Sequence, residues 1–393
     1  MRNSTVGLGV VGLGMAGGAM VAAVGTHPGV RLVAAADPNQ ALRARFEAGE
    51  GLPAYADLDT LLADPAVDAV YLASPHQFHH QQALAAARAG KHIVVEKPMA
   101  LALDECDQMI EAADRAGVAL VVGHTHGFDP AVMLIRELVA SGAYGTLSMI
   151  AQWNYTNFLY RPRRPEELDT ARGGGILYNQ IPHQVEIART IAARPVRSVR
   201  ATTAVLDPQR PTEGSCTAIL EFEDNVSASM VYSGYDHYDT DELHGWIAEG
   251  GGPKNPSHGS ARRALRQQEG EAERQARTEN FGYGNWSAEL PPHQPHFGEL
   301  IVSCAKADIR CGADDVVVYT EAGVERVPIP ARPWRPGRGD VLEELAGYLT
   351  DSRPLVHDGH FGRETLRVCL AIKQSAAEHR GLELIEREAD SYV

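Results

Sequence analysis

Gly12-Leu13-Gly14-Met15-Ala16-Gly17 lies between the apolar run Val6–Val11 and an alanine-rich helical pattern, and it limits the fold more than any other feature of this chain. A strand that ends in G-x-G-x-x-G and reopens as a helix uses its glycines for a tight turn, for close approach of a pyrophosphate and for helix–strand contact. The helix N-terminus then offers free N–H groups to phosphates. Asp37 follows at the end of the next strand, twenty residues beyond Gly17. A carboxylate there accepts hydrogen bonds from an adenosine ribose and repels a 2′-phosphate, so NAD is expected over NADP. Turn formation before Pro38 is the competing role of Asp37, and Arg43, a turn into the next helix, leaves NADP tolerance open.

The pattern around this loop repeats. Strand-like runs at Val6–Val11, 31–36, 69–73, 92–95 and 119–122 alternate with helical segments at 16–24, 41–47, 80–89 and Leu103–Ala116, several stopped by glycine. Such β-α-β alternation predicts a doubly wound parallel sheet, a Rossmann domain over residues 1–125. Beyond it, a helix-like stretch at 130–141 leads into strand-like runs at 146–154, 196–205, 217–222 and 226–232, separated by turns. These predict a second α/β domain over 126–393 with a mainly antiparallel sheet, closed by helices within 340–380. Residues 250–296 read as a polar insertion with a charged helical segment at 261–277, a solvated excursion with a lid or subunit arm as the alternative.

The net charge of −15 argues against nucleic-acid and anionic-membrane partners, which need a basic face. No apolar stretch is long enough for a membrane span. Five scattered cysteines without a C-x-x-C pair fit reduced thiols, and no signal segment precedes the glycine loop, so a cytoplasmic location is expected.

Glu96-Lys97-Pro98 ends the apolar run His92-Ile93-Val94-Val95 and puts a carboxylate and an amine at the sheet's carboxyl edge, where such sheets bind ligands. Ser74-Pro75-His76 and His79 end another strand and are candidates for the nicotinamide half of the cofactor site, with helix capping as the competing role. Together with Gly90-Lys91-His92, Gly173-Gly174-Gly175 and His183, these segments resemble the glucose–fructose oxidoreductase / inositol dehydrogenase / MocA family over most of the chain. The resemblance implies a Rossmann domain followed by a domain with a large open sheet, whose exposed face commonly mediates homo-oligomers, here a dimer or tetramer. It implies that Lys97 contacts the reacting hydroxyl and relays its proton, that Glu96 positions the nicotinamide, that Lys97-Pro98 is cis, and that His183 is the second acid/base group. The family usually carries aspartate four residues before this histidine; here it is Asn179, which orients imidazole without stabilising imidazolium and shifts weight onto Lys97. Gly127 stands where many members carry arginine, a space His126 is expected to share.

Residues 154–169, Asn154-Tyr-Thr-Asn-Phe-Leu-Tyr-Arg-Pro-Arg-Arg-Pro-Glu-Glu-Leu-Asp169, with 73–79, 296–298 and 307–310, are similar more narrowly to the phthalate 4,5-cis-dihydrodiol dehydrogenases. Guanidinium groups grip carboxylates bidentately, so Arg161, Arg163 and Arg164 are candidate clamps for an anionic cyclic diol; pairing with Glu166 and Glu167 is the alternative. Tyr155, with Phe158 and Tyr160, is a candidate wall for a cyclohexadiene ring, against core packing. The histidines around 76–80, 124–126 and 293–296 lack a convincing three-ligand set, so no metal is expected. The resulting expectation is NAD-dependent oxidation of phthalate 4,5-cis-dihydrodiol to 4,5-dihydroxyphthalate. A sugar or inositol dehydrogenase and a non-catalytic NAD-sensing scaffold are the competing readings.

Overall fold

The computed structural model describes residues 5–123, 126–267, 270–286 and 289–385. Six parallel strands, β1 (Val6–Val11), β2 (Val30–Ala36), β3 (Ala54–Tyr55), β4 (Ala69–Leu72), β5 (His92–Glu96) and β6 (Leu120–Gly123), lie in the order β3-β2-β1-β4-β5-β6. Chain order reverses between β1 and β4, and a crevice for ligand opens beyond their carboxyl ends. Every residue of β1 and β4 is buried, because helices cover both faces of a parallel sheet; hence the continuous apolar runs. The helix Leu103–Ala116 has Asp104 and Glu105 in its first turn and stops at Gly117, whose φ of 65° is left-handed. The short β3 and the helix Leu58–Leu62, absent from the sequence reading, complete the path from β2 to β4.

The second sheet contains β7 (Leu147–Tyr155), β8 (Val196–Ala204), β9 (Ser215–Phe222), β10 (Ser227–Ser233), β11 (Glu299–Cys304), β12 (Ala307–Cys311), β13 (Asp315–Thr320), β14 (Gly323–Pro328) and β15 (Leu382–Glu383). Their order is β14-β13-β12-β11-β7-β10-β9-β8-β15, antiparallel throughout except for the parallel pair β7–β10. Strand residues alternate: Ala228, Met230 and Tyr232 of β10 are buried in the core that includes the helices Ile181–Ala192 and Gly359–Glu378. Met149, Trp153, Ile219 and Tyr319 stay exposed on the other face. The chain is thus α/β, with a parallel and a mostly antiparallel sheet.

Two segments depart from the sequence reading. The helix Arg338–Asp351 returns to the first domain, where Val341, Leu342 and Leu345 share a core with Val6, Leu8 and Val10. The 250–296 segment is not a solvated excursion. Its charged stretch forms two helices, Ser260–Leu265 and Glu271–Phe281, and its charges find partners: Glu273 takes Arg210 at 2.7 Å and Arg277 takes Glu167 at 2.7 Å. Tyr283 then crosses to the first domain, where its N–H donates to Leu13 O at 2.9 Å, its hydroxyl donates to Glu50 at 2.6 Å, and its ring packs on Phe46.

Candidate active site

The glycine loop has the shape its sequence requires. Gly12 has φ +93°, and a Cβ on Gly17 would lie 1.8 Å from Gly12 O, so neither position accepts a side chain without moving backbone. A Cβ on Gly14 would meet nothing within 4 Å, so the loop faces open space at the head of the helix Met15–Val24, which has no side-chain cap. Met15 and Ala16 form that first turn, whose orphan N–H groups suit a pyrophosphate. Asp37 accepts Leu13 N–H and Asn39 N–H at 2.7 and 2.8 Å, so it braces the loop while its oxygens keep further acceptor capacity for ribose hydroxyls. Arg43 donates to the carbonyls of Asp37 and Pro38. The residues present therefore fit a dinucleotide.

Ser74, Pro75, His76 and His79 follow β4 as expected, but the side chains of Ser74, His76 and His79 are committed to protein. Ser74 Oγ bonds Gln82, Pro75 is exposed, and His76 Nδ1 faces Gly173 O at 3.3 Å. Burial pushes His76 down to about 3, with the charges of His79 and Lys97 adding to the effect. His79 is fully buried between Pro98 O and Ser74 O, so it fastens the loop after β4 to the loop after β5.

Lys97 precedes a cis peptide to Pro98. Its ammonium donates to Asn179 O at 2.6 Å, and burial lowers its pKa against the opposing pull of Glu96 and Glu249. Glu96 is not open to a ligand on all sides: it accepts the Tyr71 hydroxyl, Arg338 Nη2 at 3.2 Å and Lys97 N–H. Asn179 contributes through its backbone; its side-chain amide donates to Gly175 O at 2.8 Å and makes no hydrogen bond to His183. The expectation that this amide orients the histidine is therefore corrected. The carboxylate nearest His183 is Glu186, one turn along the same helix, with Oε2 3.9 Å from Nδ1. His183 is buried, and desolvation with the Lys97 charge holds it well below its ordinary pKa.

His126 stands edge-on to His183 with ring centroids 4.6 Å apart. It bonds Asp129 at 2.7 Å and Glu249 at 3.2 Å, and these carboxylates outweigh burial and push it up to about 10. Glu249 in turn is held well below the usual carboxylate range by His126, Arg161 and His183 despite its desolvation. His124 lies outside the described residues, among which no cluster of metal-ligating side chains occurs.

An open cavity of about 270 Å³ runs from Met15 to Asn154, Asn157, Arg161, Glu249, Lys254 and Trp286. Arg161 is the one member of the arginine cluster that lines it, with Nε on Asn157 at 2.7 Å and Nη2 3.9 Å from Glu249. Arg163 is turned inward: it donates to Phe158 O at 2.8 Å, stacks on the Phe158 ring and pairs with Glu167. Arg164 pairs with Glu166 and Glu167. Arg163 is a buried structural tie, and Arg164, half exposed, pairs with the acidic turn that follows it, so only Arg161 of the expected clamp opens on the cavity. Tyr155 is also displaced from the expected wall, since strand alternation puts it on the open face of β7 against Tyr238, while Phe158 and Tyr160 are buried. Lys254 is a second cation at the cavity, held by Asp241 at 2.6 Å and by Asp239. Glu186, Glu249, Lys254 and Arg338 escaped the sequence reading; only Glu186, three residues after His183, carried a signal in its spacing.

Two family models match, the oxidoreductase family with an NAD-binding Rossmann fold over residues 6–124 and the GFO/IDH/MocA C-terminal domain over residues 132–247. A Comamonas testosteroni protein named 1-carboxy-3-chloro-3,4-dihydroxycyclohexa-1,5-diene dehydrogenase is 40% identical over 376 residues, 93% of each chain. A solved structure from Bordetella bronchiseptica RB50 is 47% identical with TM-score 0.93, covering 97% of this chain and all (100%) of that one. An oxidoreductase from Agrobacterium radiobacter, solved with NAD+, L-tartaric acid and magnesium, shares the fold at TM-score 0.73 and 16% identity over 97% of this chain and 98% of its own. With its glycine loop, its Lys97 and its two sheets in this arrangement, the chain belongs to the Gfo/Idh/MocA family of NAD-binding oxidoreductases.

Proposed function

We propose that this chain is an NAD-dependent dehydrogenase of a carboxylated cyclohexadiene cis-diol, which it oxidises to a catechol. The observation that carries the proposal is Arg161, a guanidinium opening on the cavity that begins at Met15 of the cofactor loop, with Glu249 linking it electrostatically to Lys97 and His183. The Comamonas testosteroni relative is named for a carboxylated diol of this kind. A guanidinium recognises a carboxylate through two parallel N–H donors. Phthalate 4,5-cis-dihydrodiol, the finer expectation, carries two carboxylates and calls for two clamps. Arg163 and Arg164 are engaged elsewhere, and Lys254 is held by two aspartates, so one carboxylate is our reading. Asp37 favours NAD over NADP.

Bound NAD would supply the hydride acceptor. Lys97, whose pKa burial lowers, takes the proton of the reacting hydroxyl as its carbon loses hydride, and His183 receives that proton. The C–H and O–H bonds break, a C=O bond forms, and the hydroxy-ketone tautomerises to the aromatic catechol. Aromatisation makes the oxidation the favoured direction.

The test is NADH absorbance with purified protein, NAD or NADP, and a panel of diols: the 3,4-cis-diol of cyclohexadiene monocarboxylate, phthalate 4,5-cis-dihydrodiol, uncarboxylated cis-dihydrodiol, inositol and glucose. The highest kcat/KM is expected with the monocarboxylate and NAD. Preference for the phthalate diol would restore the two-clamp expectation. Turnover of inositol or glucose alone would overturn the proposal, and none with any polyol would favour a sensor.

A further inference from the structure

The buried imidazole of His183 is the inner end of a row of alternating histidine and carboxylate side chains. Its Nδ1 lies 3.9 Å from Glu186 Oε2, Glu186 Oε1 lies 4.0 Å from His357 Nε2, and His357 Nδ1 lies 3.0 Å from Glu344 Oε2. The row passes from fully buried Glu186 to Glu344, whose side chain is 12% exposed. Four parts of the fold hold it. Glu186 sits on the helix Ile181–Ala192; the N–H of Gly127 donates to its Oε1 at 2.7 Å, and a Cβ on Gly127 would lie 2.0 Å from that oxygen. The His357 carbonyl accepts Val122 N–H from β6 at 2.8 Å, and Phe128 stacks on its ring with centroids 3.7 Å apart. Glu344, on the helix Arg338–Asp351, also accepts the N–H groups of Val356 and His357 at 2.8 and 2.7 Å.

We propose that Glu186 is the positioning carboxylate of His183, and that His357 and Glu344 hold it in place. It orients the ring and stabilises its protonated form when His183 receives the proton that leaves the substrate hydroxyl. His183 Nδ1 and His357 Nε2 have no hydrogen-bond partner among the described residues, so both ring nitrogens that face Glu186 are uncontested. Closing either gap takes a movement of about 1 Å to hydrogen-bond range, and such contacts commonly tighten only when substrate is bound. Asn179, whose amide is tied to Gly175 O, does not compete for this role. Lys97 and His126 disfavour the charged form of His183, and Glu186 and Glu249 favour it. Asp129 and Arg189 also interact electrostatically with Glu186.

The inference rests on the proposed role of His183 in proton transfer, so its test has one arm that needs no turnover. In the NAD-loaded protein, ¹⁵N-histidine NMR titration should show the His183 pKa falling by about one unit in Glu186→Gln, since an opposite charge within ~4–6 Å shifts a pKa by that order. With a turned-over diol, Glu186→Gln should lower kcat at least about tenfold with KM within about twofold, and move the acidic limb of the kcat profile to lower pH. Glu344→Gln, at the solvent end, should give smaller changes of the same sign and decides the matter if Glu186→Gln does not fold. An unchanged His183 titration in Glu186→Gln, or in Glu344→Gln where only that variant folds, overturns the inference whatever the substrate proves to be. A shifted titration in a protein that turns over no diol would keep the pairing and refute the function instead.

Discussion

Replacing Arg161 by glutamine tests the proposed substrate most directly. A charge-assisted hydrogen bond contributes about 1.5–3 kcal/mol, and a bidentate carboxylate contact lies toward the upper end. Arg161 already has Asn157 on Nε at 2.7 Å and Glu249 3.9 Å from Nη2, so gaining a substrate carboxylate loosens an existing ion pair. That offset leaves about 1.5–2 kcal/mol, or roughly 10–30-fold at 1.4 kcal/mol per decade. The contact is remote from the reacting carbon and is made equally before and during hydride transfer. The loss should therefore appear in KM for the carboxylated diol, with kcat within about threefold. Initial rates of NADH formation over a range of diol concentrations give both constants. The same variant assayed with an uncarboxylated cis-diol closes a cycle in which substrate and protein each lack their half of the contact, and there KM should barely change. Arg164→Gln, whose guanidinium pairs with Glu166 and Glu167, is the neighbouring control and should stay within about twofold. A KM shift under threefold for Arg161→Gln, or an equal shift with the uncarboxylated diol, would refute the carboxylate clamp.

Three further outcomes are expected. Lys97→Ala should lower turnover at least about a hundredfold while NAD still binds, measured by calorimetry beside the NADH assay; retained turnover would remove the lysine from proton transfer. In the wild type, kcat/KM should rise with pH as Lys97 loses its proton, with an apparent pKa below the ordinary lysine value of about 10.4, because burial disfavours the ammonium. Tyr283→Ala removes a buried ring from Phe46 and a hydroxyl from Glu50, which should cost about 3 kcal/mol and weaken NAD binding, seen as a lower melting temperature and a smaller NAD-induced rise.

Features that sequence carries well are those that depend on local backbone. The glycine loop had to turn where it does, since Gly17 has room for no Cβ and Gly12 needs positive φ. The central strands β1 and β4 were legible because burial on both faces leaves only apolar residues and glycine in them. The side-chain partners of charged residues were not legible, because they are chosen by distant elements. Three arginines between prolines look alike in sequence. Arg163 becomes structural because Phe158 O and Glu167 lie beside it, and Arg161 stays at the cavity because Asn157 and Glu249 approach from elsewhere. Asn179 misled for the same reason. Asn179 ends the helix Gly175–Asn179 and His183 lies in the next helix, beyond a break at Gln180, while Gly175 O captures the amide and the Lys97 ammonium takes the carbonyl.

The cofactor cradle is not the work of the first 125 residues alone. Glu96, at the end of β5, is held by Tyr71 from β4 and by Arg338 from a helix that begins more than two hundred residues later. The carbonyl of Leu13, between the first two glycines, is taken by Tyr283, and Arg277 and Glu273 from the same segment grip Glu167 and Arg210 in the second domain. Later parts of the chain thus reach the first domain at two places, Tyr283 at the glycine loop and Arg338 at the end of β5. In this arrangement Arg338 and Arg277 each pair with a carboxylate of a distant segment, Glu96 and Glu167. The arrangement also accounts for the charged texture of the insertion, which resembles a solvated surface in sequence and in the fold is a strap of ion pairs ending in one aromatic anchor. What the domains share is therefore the placement of Lys97, which the parallel sheet supplies and whose acceptor, Asn179 O, comes from the second domain.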